Sequence, residues 1–226
     1  MEKSGDAMKQ YYDNYWAIRD FKKEIRNRPR KKFIKFYPLA NFDRPSQAHR
    51  VWMEYVLSAD KVLDFGAGDL RFKEFAKHNK FKGEYRTLDI GKDFTYDFNN
   101  LDDIKEKFDL VLCFEVIEHM DLVSFLNFLK KLKDKLNKGG KIIITTPNAH
   151  HINHFWKTDV THLRPYPYED LYALLRINGF KDIIMYRIVW WAGAGAFFHL
   201  EFNLRRMLTH VLGVDYATNI GFVASL

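Results

Sequence analysis

Within five residues, Glu115-Val-Ile-Glu118-His119, the chain places two carboxylates and an imidazole directly after the apolar run Phe108 to Phe114. Ionisable groups crowded at the end of a buried strand are costly unless they are used. Two chemistries fit. Glu115, Glu118 and His119 supply three ligands for a divalent cation, oxygen-rich enough for magnesium or manganese rather than zinc. Alternatively His119 works as a general base, a role that suits an imidazole side chain. Without chemistry, Glu118 and His119 would serve to cap the helix that follows. A second polar stretch, Thr158-Asp-Val-Thr-His162-Leu-Arg164-Pro-Tyr-Pro167, falls between a strand-like and a helix-like segment. There His162 is a further ligand or base, and Arg164 carries the planar fork that grips anions. The run His150-His151-Ile-Asn-His154 has no cysteine or fixed partner set and reads as loop histidines rather than a zinc site.

A third constellation is Asp64-Phe-Gly66-Ala-Gly68-Asp69, which follows a strand-like run and opens a helix-like one. In that context glycines let a ligand touch backbone. A dinucleotide cradle wants a further glycine where Leu70 and Arg71 stand, which counts against a nicotinamide cofactor. A carboxylate just before the glycines suits instead a ligand bearing an ammonium group.

These motifs must be held by alternating elements. Ser46 to Leu57 is helical in pattern, Lys61 to Phe65 strand-like, Asp69 to His78 helical, Glu84 to Ile90 strand-like. After the strand at Phe108, a helix capped by Asp121 runs through Leu136 and is stopped by Gly139-Gly140, with the strand Lys141 to Thr146 beyond it. Tyr168 to Ile177 is helical with Gly179 as its cap, and Lys181 to Trp190 and Asn219 to Leu226 are strands. Strands that are apolar throughout and alternate with helices predict an α/β fold: a doubly wound, Rossmann-like, mostly parallel sheet of seven strands with an antiparallel C-terminal strand. Ligands of such sheets bind beyond the carboxyl ends of the strands, where all three motifs fall.

The 226 residues suit one core. We expect residues 1–57 to form a helical, basic cap segment and 58–226 the main domain, with an apolar insertion at about 191–217. One cysteine, Cys113, excludes an intramolecular disulfide framework. The opening is polar, and no stretch nears the roughly 20 apolar residues of a spanning helix, so the expected location is cytoplasmic, at most peripheral to a membrane. Much of the +7 net charge lies between Lys22 and Lys35, including Arg28, Arg30, Lys31 and Lys32 beside Phe33, Phe36 and Tyr37. A basic face of this kind suits nucleic acid, an anionic membrane or simply solvent.

In the order of its motifs the chain resembles the class I S-adenosylmethionine methyltransferases from about Lys61 onward: VLDFGAGD, LDIG, YDFNN, FDLVLCFEVIEHM and LNKGGKIIITTPN. The resemblance implies S-adenosylmethionine as cofactor, its methionine part on Asp64, Gly66 and Gly68, its ribose on Asp89 with Ile90 alongside, its adenine at Asp97 and Phe98, and Glu115 in contact with it. Asp89 at a strand end makes physical sense there, since one carboxylate accepts from two vicinal hydroxyls. Leu70 departs from the family pattern, where a small residue is usual. The EVIEH string is similar to that of ubiquinone-pathway O-methyltransferases and, with a later histidine, of small-RNA 2′-O-methyltransferases, which implies catalytic roles for Glu118, His119 and His162 and a metal on Glu115, Glu118 and His119.

The uncharged run Ile188 to Leu200 and the following Phe202, Leu204, Met207, Leu208 and Val211 suit an apolar acceptor tunnel, a dimer surface, a membrane contact or core packing. Together with the THLRPY loop it leads us to expect O-methylation of a small-molecule, lipid-like or sugar-linked acceptor. The competing readings are an RNA ribose 2′-O-methyltransferase and a cofactor-binding partner protein without turnover.

Overall fold

The computed structural model describes residues 8–9, 11–27, 31–36, 46–153, 155–190 and 196–226. Arg28, Arg30, Tyr37, His154 and residues 191–195 of the apolar run lie outside them.

Seven strands form one sheet: β1 (Lys31–Phe36), β2 (Lys61–Phe65), β3 (Glu84–Leu88), β4 (Phe108–Phe114), β5 (Leu136–Pro147), β6 (Lys181–Trp190) and β7 (Asn219–Ser225). Their order is β1-β6-β7-β5-β4-β2-β3. Only β7 is antiparallel to its neighbours, β5 and β6. The doubly wound, mostly parallel plan is therefore as expected, but the count within residues 58–226 is six. Between β3 and β4 the chain makes only an isolated bridge, Leu88 to Phe98. The seventh strand is β1, from the segment expected to be a helical cap, and it pairs in parallel with β6 at the far edge.

Helices α1 (Tyr15–Asn27), α2 (Gln47–Leu57), α3 (Arg71–His78), α4 (Leu122–Asp134), α5 (Tyr168–Ile177) and α6 (Ala196–Leu212) cover the sheet. Side chains of a strand alternate between faces, so each face receives its own apolar set. On one face Trp52, Met53 and Val56 of α2 and Phe72 and Phe75 of α3 pack on Val62, Leu110, Leu112 and Ile143. On the other, Phe125, Leu129 and Leu132 of α4 and Leu171 and Leu175 of α5 pack on Leu63, Val111 and Ile144. Each such buried side chain contributes about 1.5–3 kcal/mol of transfer free energy. Helix α1 lies along α5, where Lys22 pairs with Asp170 and Arg26 Nε reaches Glu169 Oε1 at 3.4 Å.

Ser46 and Asp121 cap α2 and α4 through hydrogen bonds accepted from the His49 and Ser124 N–H groups. Gly139-Gly140 does not stop α4, which ends at Asp134 with Leu136 already paired to Phe108 in β5. The two glycines instead make a turn inside β5. Gly139 has φ +75°, and a Cβ on Gly140 would stand 2.8 Å from the Asn137 carbonyl oxygen and 3.1 Å from that of Phe108. Backbone approaches there as a side chain would forbid, and the β4–β5 register shifts between Phe108 and Leu110.

The apolar insertion carries α6 between β6 and β7. Phe198, Phe202 and Thr209 face inward, while Phe197, Leu200, Leu204, Met207 and Val211 are exposed. No helix among the described residues is long and apolar enough to cross a membrane.

Candidate active site

At the carboxyl end of β2, Gly66 takes φ +79° and Gly68 φ +48°, so the chain folds back over the sheet edge. The N–H groups of Gly66 and Ala67 donate to the Leu88 carbonyl oxygen at 2.8 and 3.1 Å. A Cβ on Gly66 would stand 2.3 Å from Val116 Cγ2, so only glycine fits. Asp89 braces the loop from β3: its Oδ2 accepts from the Gly68 N–H and its Oδ1 from the Gly91 N–H, both at 2.8 Å. Leu70, the departure from the family pattern, sits at φ +61° before α3.

Asp64 is buried under this loop, with the Tyr85 hydroxyl donating to its Oδ2 at 2.8 Å. Burial raises its pKa from 3.8 to about 7, against the lowering effect of the Tyr85 hydrogen bond. An apolar surround makes a lone carboxylate costly, and a cation placed beside it would restore the charge.

Asp64, Gly66, Gly68 and Glu115 line one cavity of about 780 Å³, within the usual range of small-molecule sites. Its other walls include His49 and Trp52 of α2, Arg71 and Phe72 of α3, Phe114 of β4, Ile188 of β6 and Asn219 of β7. Ile90, Asp97 and Phe98 are not among its walls. Ile90 is exposed, Phe98 packs on the core, and Asp97 Oδ2 accepts from both the N–H and the hydroxyl of Thr87 at 2.8 Å.

Beyond β4 the EVIEH string divides. Glu115, at φ +53°, turns its carboxylate to the cavity, where the Asn219 side-chain amide donates to Oε2 at 2.7 Å. It is reached by solvent through the cavity but walled by protein, and that desolvation, with Glu118 nearby, raises its pKa. Glu118 is buried; the Thr146 hydroxyl donates to its Oε2 at 2.9 Å, and Oε1 has no hydrogen-bond partner among the described residues. Burial raises its pKa too. The Glu118 carbonyl oxygen accepts the N–H groups of Leu163 and Arg164 at 2.8 and 3.2 Å, which docks the THLRPY loop. This brings His162 against His119, with ring centres 5.0 Å apart.

Ligand atoms of Glu118, His119 and His162 lie within 4.8 Å of one another. The metal-capable group thus has His162 as third member in place of Glu115. Glu115 instead lines the cavity, its carboxylate held by Asn219. His119 Nδ1 lies 3.1 Å from the Thr161 carbonyl oxygen. A carbonyl can only accept, so Nδ1 carries the proton and Nε2 keeps its lone pair. The Arg164 guanidinium lies over the Tyr166 ring at 5.6 Å. His150 is tied to Glu169, 2.8 Å away, and takes no part in the site.

Sequence reasoning did not single out Tyr85, Thr146, Asn219, His49 or Trp52. Tyr85 and Thr146 reach the site only through strand pairing, and the α2 residues only through helix packing, neither of which a local motif encodes.

The profile of a family described as methyltransferase domain matches residues 15–184. Among solved structures, a SAM-dependent methyltransferase from Archaeoglobus fulgidus is 18% identical, with TM-score 0.63, covering 79% of this chain and 91% of its own. The methyltransferase domain of a bacterial Hen1 protein, CtHen1, is 16% identical at TM-score 0.55, covering 82% of this chain and 100% of its own. The plantazolicin methyltransferase BamL, in complex with a triazolic desmethylPZN analog and SAH, is 12% identical at TM-score 0.53, covering 99% and 96%. Likeness at this identity speaks for the fold. Among curated protein sequences none matches.

Proposed function

Because this chain belongs to the methyltransferase-domain family and is a class I S-adenosylmethionine-dependent methyltransferase, we propose that it methylates a hydroxyl of a small-molecule, lipid-like or sugar-linked acceptor. The observation that carries this reading is the juxtaposition of the glycine-loop cavity with Glu118, His119 and His162, linked through Glu115, on which both Glu118 and His162 act electrostatically.

The cofactor supplies an electrophilic methyl on a sulfonium. Asp64 and the glycine loop fix the donor end, and the cavity walls align the acceptor; alignment of this kind contributes several kcal/mol. The proton of the acceptor hydroxyl would be taken by His119 Nε2, whose tautomer the Thr161 carbonyl holds. Glu118 and the neighbouring His162 set the charge around the imidazolium.

A second reading has an observation of its own. The buried, unpartnered Glu118 Oε1 beside two imidazoles fits a divalent cation held by Glu118, His119 and His162. When bound, it would lower the pKa of the acceptor hydroxyl and orient it. One carboxylate with two imidazoles suits manganese better than magnesium, which prefers oxygen ligands throughout. An RNA acceptor has less support, since Lys22 and Arg26 of the basic segment are engaged with α5.

The test supplies methyl-labelled S-adenosylmethionine with host extract. Label that extracts with lipid or glycan and disappears in His119→Ala supports the proposal, while ribonuclease-sensitive label moves the function to RNA. Activity that survives a chelator leaves His119 as base; activity abolished with cofactor binding intact assigns it to the cation. A chain that binds cofactor and transfers nothing would be a partner protein.

A further inference from the structure

Trp52 stands one helical turn after His49 on α2, so both project the same way, toward Phe72 at the start of α3 and Phe114 at the end of β4. Their rings form a continuous wall. Trp52 and Phe114 are 6.3 Å apart between centres, Phe72 and Phe114 5.0 Å, and His49 and Phe72 6.4 Å. Ile188 of β6 extends the wall, and all of it opens on the cavity that holds the glycine loop.

The charges of that cavity are one-sided. Its carboxylates are Asp64, Asp69 and Glu115, and among the described residues lining it the only lysine or arginine is Arg71. That guanidinium is engaged by Asp69, at 2.7 Å. His49 is buried and neutral at physiological pH, because burial first, and the Arg71 charge second, hold its pKa down to about 4. A phosphate or carboxylate pushed into this space would lose its water and meet no spare cation, whereas an uncharged ring would meet aromatic faces.

We propose that the part of the cavity walled by His49, Trp52, Phe72, Phe114 and Ile188 is the acceptor subsite, and that it selects an uncharged aromatic or alicyclic hydroxyl compound over a phosphorylated one. This rests on the O-methyltransferase reading and narrows it. None of the five residues is among those assigned to the cofactor or to the Glu118, His119 and His162 group.

The test uses a pair of probes that differ by one charge group, 2-naphthol and 2-naphthyl phosphate, titrated calorimetrically into the full chain saturated with S-adenosylhomocysteine. The expected result is binding of 2-naphthol at least about tenfold tighter than of its phosphate, and a loss of about tenfold or more in Trp52→Leu with S-adenosylhomocysteine affinity held within about twofold. Equal or tighter binding of the phosphate overturns the proposal, as does a Trp52→Leu protein that binds 2-naphthol unchanged. Should Trp52→Leu fail to fold, Ile188→Lys sets a cation in the same wall and is expected to reverse the preference; an unreversed preference overturns the assignment. Binding is read apart from turnover, so the two readings fail separately. Binding of 2-naphthol without methyl transfer upholds the subsite and removes the O-methyl reading. Transfer to a phosphorylated glycan with no 2-naphthol binding does the opposite.

Discussion

Replacing Asp64 with asparagine should make the empty protein more stable and the enzyme useless. The native carboxyl has its pKa raised from 3.8 to about 7, so folding favours its protonated form. A group of this sign lends its full stability below the unfolded pKa and loses it as pH rises through the folded one. The gap of about three pH units, at about 1.4 kcal/mol for each, sets a penalty of up to about 4 kcal/mol at pH 8 relative to pH 4. Asparagine is neutral at both and still offers an oxygen to the Tyr85 hydroxyl, so D64N imitates the protonated state. Thermal unfolding of both proteins without cofactor, from pH 4 to 8.5, should give similar midpoints at the acid end. At pH 8 D64N should lead by on the order of 10 °C, given roughly 2–4 °C per kcal/mol for a chain of this size. With Asp64 in its proposed place beside the ammonium of S-adenosylmethionine, wild type should release a proton on binding near pH 6.5 and D64N should bind far more weakly. A difference in midpoint that does not vary with pH, or unimpaired cofactor binding by D64N, would refute the reasoning.

Three further outcomes follow from the same geometry. Leu70→Gly removes a left-handed side-chain penalty at the start of α3 and should stabilise the fold by about 1 kcal/mol, read as a raised urea midpoint with cofactor affinity intact. Gly66→Ala drives a Cβ to 2.3 Å from Val116 Cγ2 and forces φ +79° on alanine, so calorimetry should detect no cofactor binding even where circular dichroism shows a folded chain. Burial raises the pKa of Glu169, but the His150 hydrogen bond, a backbone hydrogen bond and the charges of His150 and Arg26 together pull it down to about 2. A depressed carboxyl lends stability above pH 4.5 that is lost as pH falls toward 2. Glu169→Gln should therefore cost about 3 kcal/mol at pH 7 and close to nothing near pH 2, measured by denaturant unfolding across that range.

What could be read from the sequence was whatever the chain encodes within a few neighbours. The turn at Gly66 and Gly68 beside a cavity was legible because glycine spacing after an apolar strand has few other uses. Glu118, His119 and His162 could be suspected as partners because each follows a strand of a parallel sheet and so returns to the same edge. The failures have a common cause, dependence on pairing between distant segments. KKFIKF of β1 reads as a basic stretch until β6 supplies its neighbour. Glu115 looks equivalent to Glu118 until β7 brings Asn219 to the one and β5 brings Thr146 to the other. His49 and Trp52 look like ordinary helix residues until α2 lies across the cavity.

The glycine pair in β5 fixes more than a turn. Consecutive strand residues face opposite ways, so Thr145 lines the cavity while Thr146 turns to Glu118, which meets the cavity through Glu115. These hydroxyls are thus addressed by parity, odd to the cavity wall and even to Glu118. Gly139-Gly140 sets the origin of that count about five residues upstream, roughly 17 Å away at the opposite edge of the sheet. A slip of one residue there would leave every strand bond replaceable and every apolar side chain apolar, yet exchange the two addresses at once. The enzyme's alignment is in this sense a matter of phase, kept by two residues that have no side chain.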